Sequence, residues 1–327
     1  MIRGGSLLVS LVTLVDHLPW PPEPVTRARG CPKRYSDRLS MKALVIMILR
    51  RLYSAYALLS FLAQDDPVPQ QLRPLLMEQG RFPSRRTWER RLARLPETLP
   101  GVIGSTGRAL VILLTPWARQ GRAVSFDSTP LQTAGGVWHK KHREQGEIPH
   151  SSIDTEAGWS KSGWHGWWYG WKLHLAVTVG AVWSPLAAEL TVANHADNEV
   201  APRLLEQLPP EVRYVWGDTH YNDPELRRQC HRRGCELVAT RRGPHPHDDG
   251  GVAVRKVFHQ LRSKAIEPFN GLFKHVFEWR GKMPVKGVQR SQLLALGAVV
   301  ISQLVLLYQH ECNLPLGKGI KPLLRAA

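Results

Sequence analysis

The sequence predicts an α/β protein: a mixed sheet flanked by helices and preceded by a helical N-terminal region. Three observations predict it. Over the first 120 residues apolar side chains recur at helical spacing. From Gly121 onward, short β-rich runs alternate with helical stretches in the order strand, strand, strand, helix, strand, helix, strand, helix. The chain carries 44 Lys or Arg against 27 acids, a net +17, which points to a polyanionic partner.

Leu7–Val15 follows Arg3 and has the length of a signal core, but Asp16 and His17 come next and no small-residue cleavage site follows. Met41–Ala63 reads as one helix ended by Asp65, Asp66 and Pro67, with Arg50 and Arg51 on its polar side. Ser84 caps a second helix, Arg85–Leu95. There Arg85, Arg86, Arg90, Arg91 and Arg94 are interleaved with Trp88 and Leu92. Such a helix can lie along a DNA backbone or in a major groove, or its arginines can form a solvated face. Residues 1–120 hold 18 Lys or Arg and 8 acids, against 26 and 19 in the longer remainder. The N-terminal part is therefore the better candidate for gripping duplex DNA.

Beyond Gly121, Ala123–Phe126 is a short strand entering Asp127. Gln132–Gly163 is polar and glycine-rich and reads as a long mobile loop. Tyr169–Val179 and Val182–Val192 form a hairpin at Gly180. They are followed by a helix over Glu199–Leu208 and a strand over Val212–Trp216. Pro224–Arg233 is a helix capped by Asp223, Cys235–Ala239 the fifth strand, and Phe258–Phe277 helical. Leu293–Tyr308 is apolar but shorter than the ~20 residues of a membrane span and is interrupted by Gln303, so it reads as a buried helix. Cys31, Cys230, Cys235 and Cys312 are too scattered for a disulfide scaffold and fit a reducing cytoplasm. A zinc site from Cys230, Cys235, His231, His245 and His247 has no matching motif, so free or structural thiols are favoured.

The chemistry-bearing residues are acids at strand ends. Asp127 ends Ala-Val-Ser-Phe, and Asp218 ends Tyr-Val-Trp-Gly, where Gly217 allows a close approach. The two strands are expected to be neighbours at the sheet centre. Carboxylates brought together there need a cation. Glu267 lies on the later helical region with Lys264, Asn270 and Lys274 at helical spacing, so one face offers a carboxylate for metal and ammonium groups for phosphate. Pro268 either kinks that helix or begins it, and Glu278 is the fallback acid.

Five blocks now carry a specific resemblance: Ser125-Phe-Asp-Ser-Thr-Pro-Leu131, Gly170-Trp-Lys-Leu-His174, Ala193-Asn-His-Ala-Asp-Asn198, Trp216-Gly-Asp-Thr-His-Tyr-Asn-Asp223 and Ile266-Glu-Pro-Phe-Asn-Gly-Leu-Phe-Lys274. The chain resembles the DDE transposases of bacterial insertion sequences. That resemblance implies a ribonuclease H-like mixed five-stranded sheet and a catalytic, metal-binding triad of Asp127, Asp218 and Glu267 holding two Mg2+, with Mn2+ able to substitute. It implies a phosphate contact for Lys274. His259 and Arg262 stand near the family's tyrosine and arginine, and Asp218 and Glu267, 49 positions apart, leave no room for the large domain inserted in some relatives. Residues 1–120 are then the DNA-end-binding region and residues 121–327 the catalytic domain with its C-terminal helix.

The expected activity is metal-dependent cleavage and strand transfer at the element's ends. Transposon-end and target DNA are its partners, with no membrane, a homodimer in the synaptic complex and a nucleoid-associated place in the cytoplasm. A catalytically inactive DNA-binding descendant and a nuclease without strand transfer are the alternatives. Lys264, Arg262, Lys172, Arg85, Arg86, Arg90 and Arg91 are expected to join Lys274 on DNA. Lys172 and His174 share a strand face with Trp168. Trp159, Trp164, Trp167, Trp168 and Trp171 either fill a core or stack on unpaired bases, and residues 139–143 form a basic loop.

Overall fold

In the computed structural model the described residues are 6–20, 35–114, 122–162, 166–239, 260, 264–271, 273–274, 277, 279 and 282–325. Helices α1 (Leu7–Leu14), α2 (Asp37–Leu49), α3 (Ala55–Leu62), α4 (Pro67–Leu75), α5 (Arg85–Arg94) and α6 (Leu99–Leu114) build the N-terminal region. The single helix expected over Met41–Ala63 is two. Arg51 takes a left-handed conformation at φ 57°, and the Ser54 hydroxyl accepts the Ala57 N–H, so the chain stops and restarts. Arg50 then covers the Phe61 ring, 5.1 Å from its centroid. In α1, Leu8, Leu11 and Val12 are fully buried.

The sheet contains β1 (Ala123–Gln132), β2 (Gly158–Ser162), β3 (Gly166–Thr178), β4 (Pro185–Val192), β5 (Tyr214–Gly217) and β6 (Glu236–Ala239). The long β3 pairs antiparallel with β1 along one edge. Along the other edge it pairs with β4 over Trp171–Val177 and with β2 over Gly166–Gly170. β1 then pairs parallel with β5, and β5 with β6. Six strands thus occupy five positions. Three antiparallel strands followed by two parallel ones, in the order β4-β3-β1-β5-β6, form the ribonuclease H-like arrangement.

Period-two alternation decides which side chain enters which core. Leu131, Leu173, Leu175 and Ala188 face the N-terminal helices and α11 (Val288–Glu311). Val124, Phe126, Ala176 and Ala187 face α8 (Asp197–Gln207) and α9 (Pro224–Arg232). Asp127 shares the parity of Leu131, so it lies on the same sheet face as α10, whose described helical residues are 264–271 and whose Ile266 and Phe269 join that core. α11 is long and apolar enough to cross a membrane by length and composition, yet 83% of its apolar window is buried inside the protein. Gln303, the residue that interrupts it, donates to Ile103 O at 2.8 Å and Pro185 O at 2.9 Å, tying α11 to α6 and to the start of β4.

Two expectations are corrected here. β1 does not end at Asp127 but continues through Pro130 to Gln132. Val179 N–H bonds Ala123 O and Thr133 N–H bonds Tyr169 O, so odd-numbered residues of β1 face β3. Pro130 therefore lacks its donor on the edge that β5 has already left, where it costs no ladder bond. The stretch 132–163 is also not one open loop. It contains α7 (Lys140–Glu144) and β2, and buried Asp154 accepts hydrogen bonds from Thr133 Oγ1 (2.5 Å) and Gly287 N (3.1 Å). Glu156 accepts Val288 N–H at 2.6 Å, so two carboxylates pin this segment to the N-terminus of α11, where negative charge is favoured.

His174 is fully buried on β3 and bonds Thr191 Oγ1 at 2.9 Å. Burial lowers its pKa from 6.5 to about 4, against the opposing pull of Asp197, whose Oδ1 lies 3.7 Å from Nδ1. Below pH 6.5 the unfolded chain binds a proton that the folded chain refuses. This contribution is complete above that pH and is lost as pH falls toward 4. Replacing His174 by Gln should flatten the fall in urea midpoint across that window. An unchanged slope would assign the acid sensitivity elsewhere.

Two glycines of α6 give opposite expectations. A Cβ on Gly107 would meet Pro185 O at 2.1 Å, whereas one on Gly104 would meet Leu186 O at 3.5 Å, an ordinary contact. Gly104→Ala should raise stability by up to about 1 kcal/mol, and Gly107→Ala should lower it by about 1–3 kcal/mol. Equal signs in urea unfolding would contradict the close packing of α6 on β4.

Candidate functional site

The parallel pairing of β1 with β5 sets Ser125 against Trp216. Continuing that register by two residues brings Asp127 opposite Asp218. Gly217 makes the turn after β5 possible, because a Cβ there would lie 2.6 Å from the Cβ of Tyr221. Tyr221 is fully buried and meets Phe126 edge to face at 5.9 Å, so the close neighbour of this glycine is an aromatic side chain. The Asp218 carboxylate accepts the His220 backbone N–H at 2.8 Å and faces its Nδ1 at 3.1 Å.

Where β1 and β3 run on past the end of β5, a cleft of about 1190 Å3 opens. Asp127, Asp218 and Glu267 all line it, together with Lys172 and Lys274. α10 runs helically through Pro268 and presents Glu267 on its exposed side. Asn270 of the same helix donates to Asp127 Oδ2 at 3.1 Å. Lys274 is partly buried beside Asp127. Burial lowers its pKa, and the Asp127 carboxylate works against that shift.

Among the described residues no three His, Cys, Asp or Glu side chains stand close enough together to hold one ion. The donor chemistry nevertheless fits hard divalent cations: one carboxylate on β1, one in the turn after β5 and a third on α10, all lining the same cleft. The residues that would hold such ions are Asp127, Asp218 and Glu267.

The remaining expected site residues divide. Lys172 lines the cleft, its ammonium held by His195 O (3.0 Å) and Asp197 Oδ1 (3.3 Å). Trp168 lines it too, whereas His174 of the same strand face is fully buried. Lys264 is exposed on α10, and Arg85, Arg86 and Arg90 are exposed on α5. Arg91 is not presented to DNA. It is buried and bonds Asp37 Oδ1 at 2.6 Å, on the turn of α5 that carries Leu92 inward. Arg262, His259, Glu278, His245 and His247 lie outside the described residues. Cys230 and Cys235 are buried free thiols. Their mutual hydrogen bond and their burial raise the Cys230 pKa.

Sequence reasoning passed over His220 and Lys161. His220 stands two residues after Asp218, a spacing that lets its backbone N–H and ring reach the carboxylate. Lys161 lines the cleft from β2, a strand hidden by its lack of apolar alternation.

Residues 118–295 match the transposase DDE domain family, more than half of the chain. No curated protein sequence matches. Among solved structures, the piggyBac transposase synaptic complex with hairpin DNA is 9% identical with a TM-score of 0.40, covering 98% of this chain and 78% of that one. The Mos1 transposase paired-end complex with left transposon end is 14% identical with a TM-score of 0.21, covering 80% and 78%. A Mos1 mariner paired-end complex with Mn is 15% identical with a TM-score of 0.21, covering 88% and 82%. Likenesses this distant carry no argument about the chemistry of this chain. The family match rests on the segment that contains Asp127, Asp218 and Glu267, and by it the chain belongs to the transposase DDE domain family.

Proposed function

We propose that this protein is an active, divalent-metal-dependent transposase that cleaves DNA at insertion-sequence ends and joins the freed 3′ hydroxyl to target DNA. The observation that carries the reading is the lining of one cleft by acids from β1, from the turn after β5 and from α10. Asp127 and Asp218 would hold the metal, and Glu267 would complete the set. Mg2+, or Mn2+ in its place, would supply charge stabilisation at the attacking and leaving oxygens of an in-line phosphodiester displacement.

The chain's own groups bind and orient the DNA. Lys274 and Lys172 hold backbone phosphates within the cleft, and Lys264 extends that contact along α10. The exposed Arg85, Arg86 and Arg90 of α5 grip the transposon end, and Arg262 adds a further DNA contact. Residues 1–120 thus serve end recognition and 121–327 catalysis. A homodimer would assemble the two ends on the nucleoid.

Asp127→Ala, Asp218→Ala and Glu267→Ala should each reduce metal-dependent end cleavage by roughly 100- to 10,000-fold, a loss of several kcal/mol of transition-state stabilisation. End binding should stay nearly intact. A plasmid-nicking assay with and without Mg2+, beside a gel-shift titration, reads both. Full nicking by Glu267→Ala would remove the third ligand. Nicking without joined target products would reduce the enzyme to a nuclease.

Arg85→Ala, Arg86→Ala and Arg90→Ala should each lower the salt slope of DNA binding by about 0.9 per lost phosphate contact. Arg91→Ala should instead lower the unfolding midpoint, because it strands the half-buried Asp37 carboxylate. A reversal of these two effects would show that α5 meets DNA by its other side.

A further inference from the structure

The end of the β2–β3 hairpin carries aromatic side chains that the fold does not bury. Trp167 is 66% exposed and Trp159 37% exposed, while Trp168 and Trp171 of the same strand are buried. Rings of this size are expected to be covered in a finished protein, since burial of a large apolar side chain is worth about 1.5–3 kcal/mol. The register explains how they come together. Trp159 faces Tyr169 and Lys161 faces Trp167 across the two strands, so all four share one side of the hairpin.

Trp159 lies 5.3 Å from Tyr169 and 6.4 Å from Trp167 between ring centroids, and His139 approaches Trp159 at 5.9 Å. Lys161 Nζ sits 5.6 Å from the Trp167 centroid. Beside the rings, α7 exposes Lys140, Lys141 and Arg143. The array adjoins the cleft through Lys161, which lines it and shares the side of β2 that carries Trp159. By the pleat of β3, the aromatic side is the sheet face that carries Asp127.

We infer that Trp159 and Trp167 form a stacking platform for unpaired bases of a DNA strand entering the cleft, with Lys161 holding the adjoining phosphate. Positive charge beside exposed aromatic faces suits a single-stranded polyanion with π-surfaces, and it suits an apolar protein partner poorly. The inference rests on the reading that DNA occupies this cleft. It does not require that the cleft be catalytically competent.

The test uses the full chain in EDTA, so that no metal-dependent step contributes. Its probes are a fully paired duplex and a fork of the same sequence with several unpaired nucleotides, one of them 2-aminopurine. The wild type should bind the fork more tightly and quench the 2-aminopurine. Trp167→Ala and Trp159→Ala should each weaken fork binding by about tenfold, leave duplex binding unchanged and relieve the quenching. Trp167→Phe should restore most of the fork preference, and Lys161→Gln should lower its salt dependence. Equal losses on fork and duplex would overturn the platform, as would unchanged fork binding. A change confined to sedimentation behaviour would also overturn it, making the patch a contact between copies of this chain. Asp127→Ala should keep the fork preference, so failure of the catalytic reading is visible separately as nicking that survives this substitution.

Discussion

Two neighbouring parallel strands, β1 and β5, set the geometry on which the rest of the protein depends. Their pairing brings Asp127 beside Asp218 although 90 residues of chain separate them. Like charges so close are unfavourable unless something positive or hydrogen-bond-donating stands between or beside them. The surroundings supply such groups from several directions: Asn270 on one carboxylate, the His220 backbone on the other, and Lys274 nearby. β5 is short while β1 continues, and that difference in length opens the cleft at the place where the acids meet.

The remainder of the fold holds that junction still. β3 runs for 13 residues and braces β1 along its length. α10 lies over the Asp127 face because Ile266, Phe269 and Phe273 enter the core formed by the N-terminal helices and α11. The N-terminal region and the site are therefore mechanically connected through one apolar cluster. Gln303 shows how that cluster tolerates a polar group: its amide donors are spent on two backbone oxygens of different elements.

Much of this was legible in the sequence. Both parallel strands, the hairpin, the Ser84 and Asp223 caps and the buried C-terminal helix follow from periodicity and capping residues. Asp127 and Asp218 stood out because each follows a short β-rich run, although β1 itself continues past Asp127. What escaped depends on partners distant in the chain. β2 has no apolar alternation of its own and exists because the edge of β3 is there to pair with it. The order of the 132–157 segment comes from Asp154 and Glu156 reaching the start of α11, more than 130 residues away. Arg91 looked like its neighbours on α5, and only the position of Asp37 separates it from them.

The central place of α11 also bears on synthesis at the ribosome. Its apolar residues complete the cluster that Leu8, Leu44 and Val102 begin, yet they are synthesised long after those residues. Until then the inward faces of the earlier helices lack the helix that completes their core, and the nascent chain is left in a partly formed, aggregation-prone state. Messages truncated upstream of this helix would yield sticky fragments rather than smaller working proteins, so a finished core arrives late and all at once.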